Sequence, residues 1–163
     1  MKIKIKPSIL NGTIEIPPSK SYSHRAVIAA ALAEGEKKSK IDNLKFSVDI
    51  TTTTDIMENW GAEIERFENA LEIIGNGGKV VPKDKYVQCN ESGSTIRFLI
   101  PIGITDENEL IFDGKGKLVD RPLDSYYRIF DKQGIFYKNE NGKLPLTVNG
   151  KLKAGNYEID GNI

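Results

Sequence analysis

One cysteine, one histidine and no surplus of either charge set the first limits on this chain of 163 residues. With Cys89 alone no disulfide can close within the chain, which suits a reducing, cytoplasmic setting. Cys89 follows the strand-like "YVQ" and reads as a small buried hydrophobe rather than a reactive thiol. His24 stands far from Cys89 in sequence, so the usual nitrogen and sulfur ligand sets for a metal are missing and no metal site is expected. Lys and Arg total 23 and Asp and Glu total 23, a balance that argues against nucleic acid as an electrostatic partner. No run approaches the roughly 18 apolar residues that span a bilayer, and "MKIKIKPS" lacks the apolar centre of a signal peptide, so no membrane partner is expected. What is present is 39% hydrophobic and 28% charged residues, enough for a real core under an ordinary surface.

The pattern along the chain predicts a mixed α/β (α+β) fold built from a tandem unit. "IKIK" and "TIEI" alternate with period two and read as N-terminal strands within residues 1–17. "AVIAAALAEG" then reads as a helix ending at Gly35. "SKIDNL" is a short strand, and Asp49 fits an N-cap for a helix over "ITTTTDIMENW" that stops at Gly61. "AEIERF" and "ALEIIG" form a hairpin around "EN". The same order returns with "KYVQCN" as a strand and "SGSTIRFLIPIGI" as a helix that Pro101 should break or kink. After these come "ELIFDG" as a strand, a helix over "PLDSYYRIFDKQG" with Pro122 near its first turn, and a hairpin around Asn141 and Gly142. Gly134 stands over Gly61, and Ser92 to Arg97 over Lys20 to Arg25. The expected organisation is therefore one βαβαββ repeat over residues 18–80, a second over 81–152, and the first strand of an unfinished third over 153–163.

Both repeats place short hydroxyl residues at a helix entrance: Ser19, Ser21 and Ser23 in one, Ser92, Ser94 and Thr95 in the other. The first amides of a helix have no internal acceptor and carry partial positive charge, so an anion is stabilised there. Lys20 adds a cation at the first entrance, and Arg25 and Arg97 stand about one turn inside. Gly93 allows close backbone approach at the second. Against this stands the plainer reading of capping serines and solvated arginines. Arg121, in "KLVDRPLD", is a third cationic candidate, with a salt bridge to Asp120 or Asp124 as its alternative.

Together "PSKSYSHRAVIAAALAEG", "NESGSTIRFL" and "DRPLDSYYRIFDKQG" resemble the N-terminal half of the 5-enolpyruvylshikimate-3-phosphate synthase family, over residues 8–163. The resemblance implies part of one domain of the enolpyruvyl transferase fold, an inside-out α/β barrel made of βαβαββ units. It implies transfer of the enolpyruvyl group of phosphoenolpyruvate to the 5-hydroxyl of shikimate 3-phosphate in aromatic amino-acid biosynthesis. Phosphate is released, glyphosate inhibits, and no cofactor takes part. By position Lys20 resembles the catalytic lysine between both substrates, and Ser21 and Arg25 the residues that hold the shikimate carboxylate. Gly93 resembles the glycine packed against phosphoenolpyruvate, and Arg121 the arginine on its phosphate. His24, inside the lysine motif, reads as a packing residue rather than a proton carrier.

Two departures bear on these expectations. Glu91 stands where many family members have asparagine, and its charge would repel phosphoenolpyruvate unless it points away. The serine-serine-glutamine segment expected after "DGNI", the third repeat and the second domain do not follow, so the chain is expected to be a fragment inactive alone, with its last strand offering an edge for self-association. The family's whole enzymes are typically monomeric. The related enzyme acting on UDP-N-acetylglucosamine is a weaker match, because Ser21 rather than asparagine follows Lys20 and residues 115–121 hold no cysteine. A non-catalytic anion-binding module is the remaining alternative.

Overall fold

Pro17 and Pro18 deliver an extended chain to Ser19, whose hydroxyl accepts the Tyr22 amide at 3.4 Å and so caps α1, Lys20–Leu32. The alanine-rich run then pays little side-chain entropy and buries Val27, Ile28, Ala30 and Ala31. These features belong to a computed structural model that describes residues 3–7, 9 and 11–159. After α1 come β1 (Ser39–Ile41), α2 (Val48–Asn59), β2 (Glu63–Arg66) and β3 (Leu71–Ile74). The second half carries β4 (Tyr86–Gln88), α3 (Gly93–Gly103), β5 (Asn108–Asp113), α4 (Asp124–Gln133), β6 (Phe136–Glu140) and β7 (Lys143–Gly150). The fold is thus mixed α/β, with two sheets ordered β1-β3-β2 and β4-β5-β7-β6. Pairing is antiparallel except for β4 beside β5, so β1, β3 and β2 occupy the places that β5, β7 and β6 hold in the larger sheet.

One apolar core runs through both halves, from Val27 and Ile50 through Leu99 and Ile100 to Phe112, Phe130 and Leu146. Trp60, fully buried at the end of α2, reaches across: a methyl on Gly103 of α3 would stand 3.1 Å from its Cη2. The same methyl would stand 2.5 Å from Leu110 Cδ1 and 3.3 Å from Phe112 Cζ of β5, so the glycine gives the indole room between α3 and β5. Cys89 is fully buried, and burial, with Asp113 nearby, pushes its thiol up to about 12, which makes it an inert core residue. No helix among the described residues is long and apolar enough to cross a membrane.

Four expectations are corrected. Residues 13–16 and "IKIK" at 3–6 join no sheet, leaving Ile5 87% and Ile14 83% exposed. Alternation marks a strand only when a ladder partner is present, and the place beside β1 that β4 fills beside β5 is not taken by these residues. Residues 153–159 likewise form no strand, and the "DGNI" at the end of that expectation lies outside the described residues. The cap of α2 is Ser47, whose hydroxyl accepts the Ile50 amide at 3.4 Å, and Asp49 lies inside the first turn. The threonine run is helical although such residues favour helices poorly; its hydroxyls are satisfied locally, Thr52 donating to the Val48 carbonyl (2.7 Å) and Thr54 to Ile50 (2.8 Å), with Thr53 3.2 Å from the Asp49 carbonyl. Finally, Pro101 does not end α3, which continues to Gly103. Proline removes the amide that would have bonded to the Arg97 carbonyl, and the Tyr126 hydroxyl of α4 donates to that carbonyl instead, at 2.8 Å.

Among the described residues His24 is the one fully buried titratable base, and burial holds its pKa below the ordinary 6.5 against the raising influence of Asp49.

Replacing Tyr126 with Phe should cost about 1 kcal/mol in urea unfolding, and the loss should shrink when Pro101→Ala restores an amide donor; equal losses in both backgrounds would contradict the rescue. Because the folded state binds a proton on His24 less readily than the unfolded chain, stability should be full above pH 6.5 and fall below it, by up to about 1.4 kcal/mol per pH unit. Urea midpoints between pH 7.5 and 5.5 check this, and a midpoint in a His24→Gln variant that falls just as steeply would remove His24 as the cause.

Candidate functional site

The six entrance hydroxyls divide by task. Ser19 and Ser92 are caps, Ser92 accepting the Thr95 amide at 3.2 Å. Ser23 turns back to the Ser19 carbonyl at 2.9 Å, and Thr95 is fully buried. Ser21 is exposed and Ser94 half-buried, and no hydrogen bond from another described residue occupies either hydroxyl. The capping reading therefore holds for two of the six, and two remain available to a ligand.

Helices α1, α2 and α3 pack pairwise, and His24, Thr53 and Thr95, each within the first two turns of its helix, bring their starts together. His24 Nδ1 lies 2.8 Å from Thr53 Oγ1, Thr53 Oγ1 lies 2.8 Å from Thr95 Oγ1, and Thr95 donates to Ser92 Oγ at 2.6 Å. At 1.5 Å per residue, all three helix starts lie within about 8 Å, along each axis, of this buried chain. Asp49 sits in the first turn of α2 and supplies the negative charge that the helix end favours. The first turns of α1 and α3 contain no acid, so their polarised amides are not compensated in this way.

Cationic side chains surround these ends. Lys20, the first residue of α1, is ion-paired with Asp49. Arg25 donates to the Ser21 carbonyl at 2.9 Å, and its guanidinium lies 4.9 Å from the centre of the Phe98 ring on α3, a cation–π contact that bridges the two helices. Arg121 follows the short 3-10 turn Gly116–Leu118, its amide bonded to the Leu118 carbonyl at 3.1 Å. Its guanidinium lies directly on Gly93, where a methyl would strike Nη1 and stand 3.3 Å from Cζ. The alternative pairing of Arg121 with Asp120 is not adopted: Asp120 binds Lys143 at 2.6 Å. Glu91 rests on Gly116, whose φ of +55 and lack of a side chain admit the carboxylate.

The five sequence-predicted residues thus fall into three contacts: Lys20 with Asp49, Ser21 with Arg25 and Phe98, and Gly93 with Arg121. The last two share α3. A hollow of about 310 Å³ against Pro18, Tyr22 and Asp42, on another side of α1, contains none of the five. Arg97, grouped with Arg25 in the sequence, is exposed, and its carbonyl takes the Tyr126 hydroxyl. The sequence reading missed Asp49 as the partner of Lys20, Phe98 as the platform for Arg25, and Thr53 as the link between helices. Only the threonine run carried a signal, as an unusual stretch inside a helix. Among the described residues no three His, Cys, Asp or Glu side chains form a group fit for a metal ion.

A sequence model of the EPSP synthase (3-phosphoshikimate 1-carboxyvinyltransferase) family matches residues 5–163. The 3-phosphoshikimate 1-carboxyvinyltransferase of Clostridium novyi is 50% identical over 170 residues, covering 99% of this chain and 38% of that protein. The protein of the same name from Clostridium kluyveri is 50% identical over 161 residues, covering 99% and 37%. This chain therefore spans little more than a third of the length of these curated relatives. The solved EPSP synthase from Acinetobacter baumannii superposes with a TM-score of 0.74 over 85% of this chain and 32% of that one, at 23% identity, a likeness of fold. The family model, the relatives and the two-sheet architecture agree, and the chain belongs to the EPSP synthase family.

Proposed function

We infer that this chain supplies one wall of an enolpyruvyl transferase site, which joins phosphoenolpyruvate to the 5-hydroxyl of shikimate 3-phosphate and releases inorganic phosphate. The observation that carries this reading is the meeting of α1 and α3 at uncompensated starts, with Lys20, Arg25 and Arg121 beside them. Both substrates are polyanions, and bringing them together costs repulsion that fixed cations and amide dipoles offset without reorganising. Ser21 and Arg25 hold the shikimate carboxylate, the Phe98 ring keeping the guanidinium fork in place for two parallel hydrogen bonds. Gly93 lets phosphoenolpyruvate reach the first amides of α3, with Arg121 on its phosphate. Lys20 lies between the two reactants and orients them. The hydroxyl oxygen adds to the carbon bearing phosphate while the methylene carbon gains a proton; loss of phosphate and of a proton from the new methyl group then restores the double bond. Asp49 holds the Lys20 ammonium in place before substrate arrives. The division into copies at 18–80 and 81–152 belongs to the same proposal, supported by the matching places of β1-β3-β2 and β5-β7-β6. A cytoplasmic setting fits the single buried thiol.

Calorimetric titration of the 163-residue chain with shikimate 3-phosphate should show saturable binding that weakens with salt. Arg25→Ala should weaken it about tenfold or more, the value of a charge-assisted hydrogen bond. Gly93→Ala, whose methyl collides with Arg121, should leave shikimate 3-phosphate affinity nearly intact and reduce the response to added phosphoenolpyruvate. Phosphate release should be absent from the chain alone. Equal affinity of the Arg25→Ala variant would remove Arg25 from the site, and binding of UDP-N-acetylglucosamine instead would overturn the substrate assignment.

A further inference from the structure

We propose that Thr53 is a positioning residue that fixes the start of α1 against the start of α3 through a one-way chain of buried hydrogen bonds, His24 to Thr53 to Thr95 to Ser92. All four side chains are buried, with His24, Thr53 and Thr95 fully so. None belongs to the residues that would touch a substrate, yet His24 immediately precedes Arg25 and Ser92 immediately precedes Gly93.

Proton counting gives the chain its direction. The Thr95 hydroxyl donates to Ser92 Oγ at 2.6 Å, so towards Thr53 it can only accept. The Thr53 hydroxyl has one proton and three neighbours: Thr95 Oγ1 and His24 Nδ1, each at 2.8 Å, and the Asp49 carbonyl at 3.2 Å. Thr95 at 2.8 Å needs that proton and lies closer than the Asp49 carbonyl at 3.2 Å; with the proton given to Thr95, Nδ1 of His24 must carry a hydrogen and donate it to Thr53. Nε2 then carries a bare lone pair, and among the described residues it has no partner. The opposite tautomer would bury an N–H without an acceptor at the same place, the rarer and costlier defect.

The arrangement does something apolar packing cannot. Apolar contact is non-directional, whereas a hydrogen bond such as these, at 2.6–2.8 Å, needs its donor aligned with its acceptor and weakens steeply once the angle closes below about 120°. Thr53 is the only member that touches both sides, His24 on α1 and Thr95 on α3. Valine at 53 would keep the shape and remove both links, while serine would keep them.

The test compares the full chain with its Thr53→Val and Thr53→Ser forms. The chain has one histidine, so its ring nitrogens give an unambiguous long-range ¹H–¹⁵N spectrum. The proposal predicts the Nδ1–H form in the parent and in Thr53→Ser, and a changed ring spectrum in Thr53→Val. It also predicts that Thr53→Val moves the amide resonances of both helix starts, residues 20–25 and 93–97. Shikimate 3-phosphate affinity should fall about fivefold to tenfold in Thr53→Val and return in Thr53→Ser. An Nε2–H ring in the parent protein overturns the proposal even if Thr53→Val does not fold. Lower stability with unmoved helix starts and unchanged affinity would show a purely structural threonine and also overturn it. The affinity arm rests on the anion-site reading given above. If the parent chain binds no shikimate 3-phosphate, that reading fails, while the ring spectrum and the amide shifts still decide the role of Thr53.

Discussion

The first amides of a helix have no acceptor inside the helix, and here three such ends are held together at one place. That convergence is electrostatically unfavourable by itself, because each end carries partial positive charge. Two devices make it tolerable. Asp49 neutralises the start of α2 and ties Lys20 to it. The buried contacts of His24, Thr53, Thr95 and Ser92 then join the three helices from beneath. The starts of α1 and α3 keep their polarity, and everything read as function in this chain follows from that residue of uncompensated charge.

The same construction explains why exposed cations can sit where they do without wandering. Long side chains lose entropy when fixed, and a surface ion pair rarely repays it. Arg25 is restrained on two sides, by the Ser21 carbonyl and by the face of Phe98. Arg121 is restrained by the backbone of Gly93, which has no side chain to push it off. Its neighbour Asp120 is engaged by Lys143, which leaves the guanidinium to Gly93. Preorganised charge of this kind gives a polyanionic ligand something fixed to bind.

Much of the fold was legible because its signals are local. The capping serine before α1, the alanine-rich run, the Asn141-Gly142 hairpin with both residues at positive φ, and Gly134 closing α4 in the left-handed region each depend on a few adjacent residues. What failed depends on partners distant in sequence. Residues 13–16 have the alternation of a strand but no ladder to join. Pro101 reads as a break until Tyr126, from another helix, supplies the missing donor. In the candidate site, Lys20, Ser21, Arg25, Gly93 and Arg121 were singled out by motif, and the structure puts Ser21 beside Arg25 and Gly93 beside Arg121. The roles of Asp49 and Phe98 were invisible and Thr53 was marked only as part of an unusual threonine run, because an ion partner, a stacking platform and a buried hydroxyl are defined by neighbours rather than by spacing along the chain.

The most direct test of convergent helix starts uses inorganic phosphate and ¹H–¹⁵N amide spectra of the chain. The account predicts saturable shifts concentrated at residues 20–23 and 93–95 and at Arg121, absent with a neutral solute. Shifts spread evenly over surface lysines, or gathered in the cleft between α4 and residues 155–159, would contradict it.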